Sequence, residues 1–272
     1  MRAAARLSIG AFLLGVCACG GTDVLTYEEF KAQAYYDVEN DNFVVNGDEL
    51  VEDEAGLQDM YQRYLDSVAD ADARADGTGT AEENLIVNRV GGSDDKWGSS
   101  VQNNITYCVS QQSFGSRYST VVTAMANATA AWHATANVTF VHVASQDGNC
   151  TRRNNNVVFD VNQTNQSSFL ARAFFPSSSR RNRNILISFT SFGNIDPWTL
   201  TGVLRHETGH TIGFRHEHTR PESGTCFEDN NWRALTQYDS SSVMHYPQCN
   251  GTQNGDLSLT ALDKSGARAL YP

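Results

Sequence analysis

Two patterns of apolar and polar positions along the chain predict its secondary structure. Ile105, Tyr107 and Val109 recur at every second position, which is typical of a strand with one buried face. Short runs rich in apolar residues predict further strands at 138–143, 157–161, 171–175 and 185–189. Helical spacing predicts helices at 27–36, 54–68, 118–133 and 261–270, the last capped by Thr260. This mixture of strands and helices predicts an α+β fold.

One more helix is predicted to begin after Thr199, a residue type typical of helix N-caps. Leu200, Val203 and Leu204 would form its buried side. Gly213 is expected to end it, because glycine adopts a left-handed C-terminal conformation without a steric penalty. The chain could then turn sharply and return.

Three of the seven histidines lie in this stretch, at His206, His210 and His216. Positions four apart share one face of a helix, so His206 and His210 can present their imidazoles to one point, and the turn can bring His216 to it. Three imidazoles leave the fourth position of tetrahedral zinc open for a water molecule, as in catalytic sites. Glu207 would touch that water as a general base. The alternative, a closed structural zinc site, usually has a cysteine ligand, and this run contains none.

The run from His206 to His216 fits HExxHxxGxxH, and on this motif the chain resembles the metzincin metalloproteases. Residues 242–246 resemble the methionine-containing turn of that clan, with Met244 at its centre. Phe214, Glu217, the Arg-Pro-Glu run at 220–222 and the order Met-His-Tyr are similar to the astacins. Two departures are Glu222, where astacins usually carry aspartate, and residues 170–176, which look more like the edge strand of matrixins.

The resemblance implies a metzincin-type catalytic domain, with a twisted mixed sheet and two long helices in an upper lobe, a zinc cleft and a smaller irregular C-terminal lobe. It implies one catalytic Zn²⁺, held by His206, His210 and His216, with Glu207 as the catalytic base. Carried over from the astacins, Tyr246 is a ligand that swings out and stabilises the oxyanion. Asp48, in an Asn-Gly-Asp run, loosely resembles the aspartate that blocks zinc in astacin proforms, although Gly-Asp is also a common turn. The resemblance also implies that Glu217 receives a new N-terminal ammonium if the protein is activated by cleavage.

Charge divides the chain into unlike parts. Between Asp23 and Asp95 there are 20 acidic and 4 basic residues, whereas from Lys96 onward there are 14 basic and 11 acidic ones. We predict a signal peptide at 1–18, an acidic propeptide and linker region at 19–95, and a zinc metalloprotease catalytic domain at 96–272. An acidic segment would be attracted to a mildly basic domain and would cover it. The alternative is a solvated acidic spacer between a lipid and the enzyme.

The N-terminus and the cysteines predict export. An apolar run at 7–16 follows Arg2 and Arg6, and residues 16–20 resemble a bacterial lipobox, so a lipid on Cys19 is expected, with an ordinary signal peptide as the alternative. Four further cysteines predict two disulfides in an oxidising space. Three pairings are possible. We favour Cys108 with Cys150 and Cys226 with Cys249, because the second bond would fasten the segment after the zinc helix to the loop after the methionine turn.

The sequence therefore predicts a bacterial zinc-dependent endopeptidase, secreted or anchored by lipid in the cell envelope, and made as a zymogen. Its partners would be protein or peptide substrates, with membrane contact only through a lipid on Cys19, and the protein would be a monomer. The acidic composition and the absence of a recognisable motif argue against nucleic acid as a partner. The competing hypothesis is a non-catalytic surface binding module stabilised by zinc. Glu207 argues against it, because such a module has no chemical need for a base there.

Overall fold

The computed structural model describes residues 24–74 and 85–272. Residues 24–74, called here the N-terminal segment, form a three-stranded antiparallel sheet and two helices. These elements are α1 (Tyr27–Lys31), β1 (Tyr35–Asp37), β2 (Asn42–Val45), β3 (Glu49–Val51) and α2 (Glu54–Arg74). The segment has its own small core of Phe43, Val45, Leu57 and Met60.

The predicted helix at 27–36 is wrong beyond Lys31. Tyr35 and Tyr36 lie in β1, where they pair with Val44 and Phe43 of β2. Asp37 then closes the hairpin, because its carboxylate accepts hydrogen bonds from the backbone N–H groups of Glu39 and Asn40. Tyrosine favours strands, and this preference outweighs the short helical periodicity once a partner strand is available.

Residues 85–272, called here the main unit, contain the remaining elements. They are β4 (Ile86–Val90), β5 (Ser93–Asp94), β6 (Ile105–Val109), α3 (Gln111–Phe114), α4 (Tyr118–His133), β7 (Phe140–His142), β8 (Phe159–Thr164), β9 (Ala171–Arg172), β10 (Asn184–Ser188), α5 (Leu200–Thr211), β11 (Trp232–Ala234) and α6 (Ala261–Leu270). The chain between α5 and α6 is mostly short 3₁₀ turns and loops.

The principal sheet has five strands in the order β7-β6-β8-β10-β9. Its strands are parallel except for β9, which runs antiparallel to β10 at one edge. One core joins this sheet to α4, α5 and α6, and the side chain of Trp132 on α4 donates a hydrogen bond to the carbonyl of Arg205 on α5 at 2.9 Å. The α+β class, with a mixed sheet and two long helices packed together, is confirmed.

A second sheet, in the order β11-β4-β5, fastens residues 85–95 to the rest of the main unit. Leu85 and Val87 belong to the principal core. The backbone N–H of Asn88 donates to the carbonyl of Gly213, just after the end of α5. Residues that precede Lys96 therefore help to position the segment that follows α5.

Several predicted boundaries change and both predicted disulfides are present. The predicted edge strand at 171–175 is regular only over Ala171–Arg172, whereas the helix at 261–270 and its Thr260 cap are confirmed. Cys108 is bonded to Cys150 and Cys226 to Cys249. Within residues 24–74 and 85–272, no helix combines the length and apolar character needed to cross a membrane.

Candidate metal centre

Two local features of α5 bring His216 back to its end. The Thr199 side chain accepts a hydrogen bond from the backbone N–H of Gly202 and so fixes the start of the helix. After the helix ends, Gly213 takes φ +100°, and a methyl group at this position would run into the carbonyl of Asp95. Glycine is required on both counts, because other residues are strained at such φ values.

The three histidines of the run converge, as the spacing predicted. The Nε2 atoms of His206 and His210 are 3.2 Å apart, and the His216 ring lies 5.3 Å and 4.7 Å from their rings, centroid to centroid. All three side chains are buried. Each Nδ1 atom faces outward to a fixed acceptor: the carbonyl of Val243 for His206, the carbonyl of Phe214 for His210, and the Glu228 carboxylate for His216.

The Asp48 carboxylate, from the N-terminal segment, lies among these three imidazoles. Its Oδ2 atom is 3.1 Å from His206 Nε2, and its Oδ1 atom is 3.5 Å from His210 Nε2 and 3.0 Å from His216 Nε2. One oxygen of Asp48 and one nitrogen of each histidine all lie within 4.8 Å of one another. The side chain of Asp48 is only 7% exposed, so water contributes little to its solvation.

These four residues fit a zinc ion. A carbonyl or carboxylate oxygen can only accept, so each Nδ1 carries a proton and Nε2 is the nitrogen that faces Asp48. Asp48 Oδ1 and His216 Nε2 are buried with no hydrogen-bond partner. A metal ion bound by the Nε2 lone pairs would also balance the charge of the carboxylate. Three imidazole nitrogens and one carboxylate oxygen are a usual tetrahedral zinc set.

Glu207 lies beside this cluster and does not join it. Its side chain is buried, and Oε2 has no hydrogen-bond partner. Burial, together with the negative charge of Asp48, raises the pKa of Glu207 well above its ordinary value. A carboxyl group with such a pKa can hold a proton at neutral pH.

The methionine turn lies under α5 and supports His206. Met244 is fully buried, and a methyl group on Gly209 of α5 would lie 2.5 Å from its Sδ atom. Asp263 of α6 fixes the turn by accepting hydrogen bonds from the Ser242 hydroxyl and the Val243 N–H. The Val243 carbonyl in turn holds His206.

Tyr246 follows the turn and stands between the ligand rings. Its ring centroid is 5.6 Å from that of His206 and 4.5 Å from that of His216. Burial and the nearby Asp48 charge raise the pKa of its hydroxyl well above the ordinary value, so it is a hydrogen-bond donor at neutral pH. The structure thus brings the five sequence-predicted site residues together around Asp48.

Sequence reasoning missed the residues that hold His216. Glu228 contacts His216, His218 and Arg215, and Arg215 also pairs with Asp229. His218 is buried, and burial lowers its pKa to about 4 against the opposing effect of Glu228. No spacing in the sequence marks Glu228, which follows a stretch without regular structure.

Glu217, predicted to receive a new N-terminal ammonium, is fully buried. Its Oε1 atom accepts a hydrogen bond from the Asp239 N–H, whereas Oε2 has no partner. The nearest cation is the Arg220 guanidinium at 3.6 Å. The predicted role for Glu217 stays a prediction.

The sheet edge at residues 171–175, predicted as an edge strand, is covered by the N-terminal segment. The Ala173 N–H donates to the carbonyl of Asp48, and Glu49 forms a parallel bridge with Ala173. The ring of Phe175, further along this edge, lies against His210 with a centroid separation of 5.5 Å. The same backbone segment therefore occupies the sheet edge and delivers Asp48 to the histidines.

A match to a family of known proteins agrees with this chemistry. The model of the Peptidase M57 family, described as dual-action HEIGH metallo-peptidase, matches residues 93–231, about half of the chain. Residues 206–210 read HETGH and differ from HEIGH only at Thr208. Protein SpAN of Strongylocentrotus purpuratus is 31% identical over 81 residues, which are 23% of this chain; the match spans 13% of the length of that protein.

Two solved structures are similar at low sequence identity. Myroilysin has a TM-score of 0.46 and 20% identity, covering 69% of this chain and 98% of its own. High choriolytic enzyme 1, a hatching enzyme zinc-protease from Oryzias latipes (medaka fish), has a TM-score of 0.43 and 19% identity, covering 68% and 98%.

Proposed function

Because this chain belongs to the dual-action HEIGH metallo-peptidase family, we propose that it is an exported zinc endopeptidase made as an inactive precursor. His206, His210 and His216 would hold one zinc ion, and Asp48 would occupy its fourth position in the precursor. One observation carries this proposal: the Asp48 carboxylate lies 3.0 to 3.5 Å from the Nε2 atoms of all three histidines. The expected substrates are proteins or peptides, and the protein is proposed to act as a monomer.

When bound, zinc would polarise the scissile carbonyl and lower the pKa of water in the site. Glu207 would accept a proton from the attacking water and pass it to the leaving amine, a role that its buried, unpaired oxygen beside the histidine cluster supports. Tyr246 would donate a hydrogen bond to the oxygen of the scissile carbonyl as negative charge develops there. Both groups would act only after Asp48 has left.

Contacts on both sides of Asp48 support a role for the N-terminal segment in blocking the site. Val44 packs with Phe169 and Leu186 of the main unit. Glu49 lies 3.5 Å from the Arg215 guanidinium, and the Ser179 N–H donates to Glu52 at 2.6 Å. These contacts would keep the local concentration of Asp48 high at the histidines, as expected for an inhibitor on the same chain.

Activation would need a cut that separates the N-terminal segment from the main unit. We place the start of the catalytic unit at Leu85 rather than at Lys96, because the carbonyl of Leu85 accepts a hydrogen bond from Leu235 and its side chain lies in the principal core. The polar stretch at 70–83 precedes this point. The Gly-Thr-Gly run at 77–79 lies outside the described residues.

Export is proposed on the two disulfides and the N-terminal sequence. Disulfides persist in oxidising compartments and are rare in the cytosol. The predicted signal peptide at 1–18 and the predicted lipid site at Cys19 lie outside the described residues. A secreted protein and a bacterial cell-envelope lipoprotein both fit these features.

The alternative is a surface module that keeps zinc for stability and has lost catalysis. It would have no need for a precursor or for an unpaired buried carboxyl beside the metal ligands. Membership of a peptidase family and the position of Glu207 favour the enzyme.

The decisive variant is Asp48→Ala in the full chain. Cleavage of a quenched fluorescent peptide should rise at least about tenfold over the uncleaved wild type, because one charged metal-site contact is lost. Zinc content and chain length should be checked in the same samples by metal analysis and mass spectrometry. Asp59→Ala is the matched control, since Asp59 is an exposed residue of the same segment.

A second control is the double variant Asp48→Ala/Glu207→Gln, which should not cleave the peptide. If the Asp48→Ala protein is no more active than uncleaved wild type, while a protein that begins at Leu85 cleaves the peptide, the proposed role of Asp48 is wrong. If neither protein cleaves any peptide from a mixed library, the proposed endopeptidase activity is wrong.

A further inference from the structure

A single buried oxygen of Glu228 lies within hydrogen-bond distance of two imidazoles. Glu228 Oε1 is 2.6 Å from His216 Nδ1 and 3.2 Å from His218 Nε2. The other oxygen, Oε2, accepts from the Arg215 guanidinium at 2.8 Å. The carboxylate is therefore fully engaged and has no freedom to rotate.

The contact with His216 fixes the proton of that ring. Glu228, paired with Arg215, can only accept as a carboxylate, so His216 Nδ1 carries a hydrogen and Nε2 is the nitrogen available to a metal ion. The two other histidines of the cluster obtain the same protonation from the backbone carbonyls of Val243 and Phe214. Of the three rings, His216 is the one whose Nδ1 atom donates to a side chain.

Through its contact with His218, Glu228 is also connected to Tyr246. The Tyr246 backbone N–H donates to His218 Nδ1 at 3.3 Å, so the proton of the neutral His218 ring is on Nε2 and points at Glu228. The His218 ring also stacks on the rings of His216 and Tyr246, with centroids 4.7 Å and 4.8 Å apart. His218 therefore links the start of the Tyr246 backbone to the carboxylate that holds His216.

The backbone around Glu228 is itself held firmly. Thr219 Oγ1 accepts hydrogen bonds from the N–H groups of Glu228 and Asp229. Two residues before Glu228, the Cys226–Cys249 disulfide ties the chain to the loop that follows Tyr246. The carboxylate therefore has a fixed position relative to both rings that it contacts.

We propose that Glu228 is a positioning residue: it fixes the ring of His216 for metal binding and, through His218, fixes Tyr246 for its contact with the substrate. This inference rests on the proposed ligand role of His216 and the proposed role of Tyr246. The Glu228 carboxylate would thus have two effects, one on zinc binding by His216 and one on the position of Tyr246. Different variants separate these two effects.

The first measurement is zinc affinity of the full chain, with zinc alone as the probe in competition with a chromogenic chelator. Glu228→Gln removes the charge at constant shape, and Glu228→Asp keeps the charge but shortens the reach to His216. Both should weaken zinc binding about 10- to 100-fold, as expected when the partner of a metal-bound histidine is lost. Asp229→Asn is the matched control, because Asp229 pairs with the same Arg215 but contacts no imidazole; its zinc affinity should equal that of wild type.

The second measurement tests the contact of Glu228 with His218 separately from its contact with His216. His218→Phe keeps an aromatic ring but loses both hydrogen bonds, so zinc affinity should stay at the wild-type value. In the Asp48→Ala background and at saturating zinc, kcat should fall about tenfold with KM unchanged, because Tyr246 would act on the transition state. A general loss of stability would not lower kcat while leaving zinc affinity unchanged.

His216→Ala is the reference that distinguishes the possible failures. Unchanged zinc affinity in Glu228→Gln and Glu228→Asp, together with a loss in His216→Ala, would overturn the role of Glu228 alone. Unchanged affinity in His216→Ala would overturn the ligand assignment and this inference with it. If Glu228→Gln does not fold, Glu228→Asp decides the question, because it keeps the ion pair with Arg215.

Discussion

Gly47 lies directly against the ring of Tyr246. A methyl group built on Gly47 would be 2.9 Å from the Tyr246 hydroxyl oxygen and 3.1 Å from the Cε2 atom of the same ring. The backbone at Gly47 also has φ +99°, a conformation that residues with a side chain rarely adopt. Two properties of glycine thus allow the chain to pass over Tyr246 and place Asp48 among the histidines.

Gly47→Ala should therefore weaken the block while Asp48 is still present. The strain of about 1 to 2 kcal/mol in the left-handed backbone, added to the clash with Tyr246, should raise the peptidase activity of the uncleaved chain severalfold. Gly92→Ala is a matched control, because Gly92 has φ +80° and a methyl group there meets no atom within 4 Å. Activity equal to that of wild type in Gly47→Ala, measured with the fluorescent peptide, would contradict the predicted contact.

Gly209, the glycine of the HETGH run, leaves room for the methionine turn to pack against α5. A methyl group on Gly209 would lie 2.5 Å from Met244 Sδ and 3.1 Å from the ring of Trp132. Alanine normally stabilises a helix interior by about 1 kcal/mol relative to glycine, but overpacking a core costs about 1 to 3 kcal/mol. We expect Gly209→Ala to lower the free energy of unfolding.

The sign of that effect should reverse when Met244 is shortened. Relative to Met244→Ala alone, the double variant Gly209→Ala/Met244→Ala should be equally or more stable, because the added methyl group then fills space. Gly98→Ala, where no atom lies within 4 Å, serves as the control for alanine itself. Urea unfolding of the wild type, the two single variants, the double variant and the control checks this; additive losses in the double variant would exclude a direct Gly209–Met244 contact.

The ligand histidines could be predicted from the sequence because their geometry is local. His206 and His210 share one helix, and Gly213 determines how the chain returns with His216. Asp48 is 158 residues from His206, and no periodicity relates the two positions. Its Gly-Asp pair is common in turns, so only the folded arrangement distinguishes it from the other acidic residues of the N-terminal segment.

The helices and strands also differ in whether nearby or distant residues determine them. Helices with a cap and an apolar face, such as α5 and α6, follow from nearby residues. The pairing of β4 with β11 depends on a partner elsewhere in the chain, because β4 meets residues more than 140 positions away. Glu228 belongs to this second class, since its partners are set by the fold after α5.

The two disulfides should differ in their effect on the metal site. Removal of either, by Cys226→Ser/Cys249→Ser or Cys108→Ser/Cys150→Ser, should cost about 3 to 4 kcal/mol of folding free energy through loop entropy. The Cys226–Cys249 bond lies two residues from Glu228, whereas the Cys108–Cys150 bond lies in a separate apolar cluster with Val157. Only the first double variant should also weaken zinc binding, as measured by chelator competition in samples that remain folded. Equal zinc affinities in the two variants would contradict this.

Glu207 should be needed for catalysis and dispensable for the metal. Glu207→Gln in the Asp48→Ala background should keep one zinc ion per chain, because Glu207 lies outside the four-residue cluster. Peptide cleavage should fall by about a factor of 100 to 10,000, the usual contribution of a general base. Metal analysis and peptide turnover, measured on the same sample, check the zinc content and the loss of cleavage. A variant that retains zinc and cleaves normally would exclude Glu207 as the base.

If Asp48 blocks the site, it should be bonded to the same zinc ion as the three histidines. Crystallography of the full uncleaved chain, with anomalous diffraction data collected on both sides of the zinc absorption edge, would show this bond. We predict one zinc peak, with the Nε2 atoms of His206, His210 and His216 and one oxygen of Asp48 at about 2.0 to 2.2 Å. A zinc ion bound by the three histidines and water, with Asp48 outside its coordination sphere, would show that Asp48 does not block the metal.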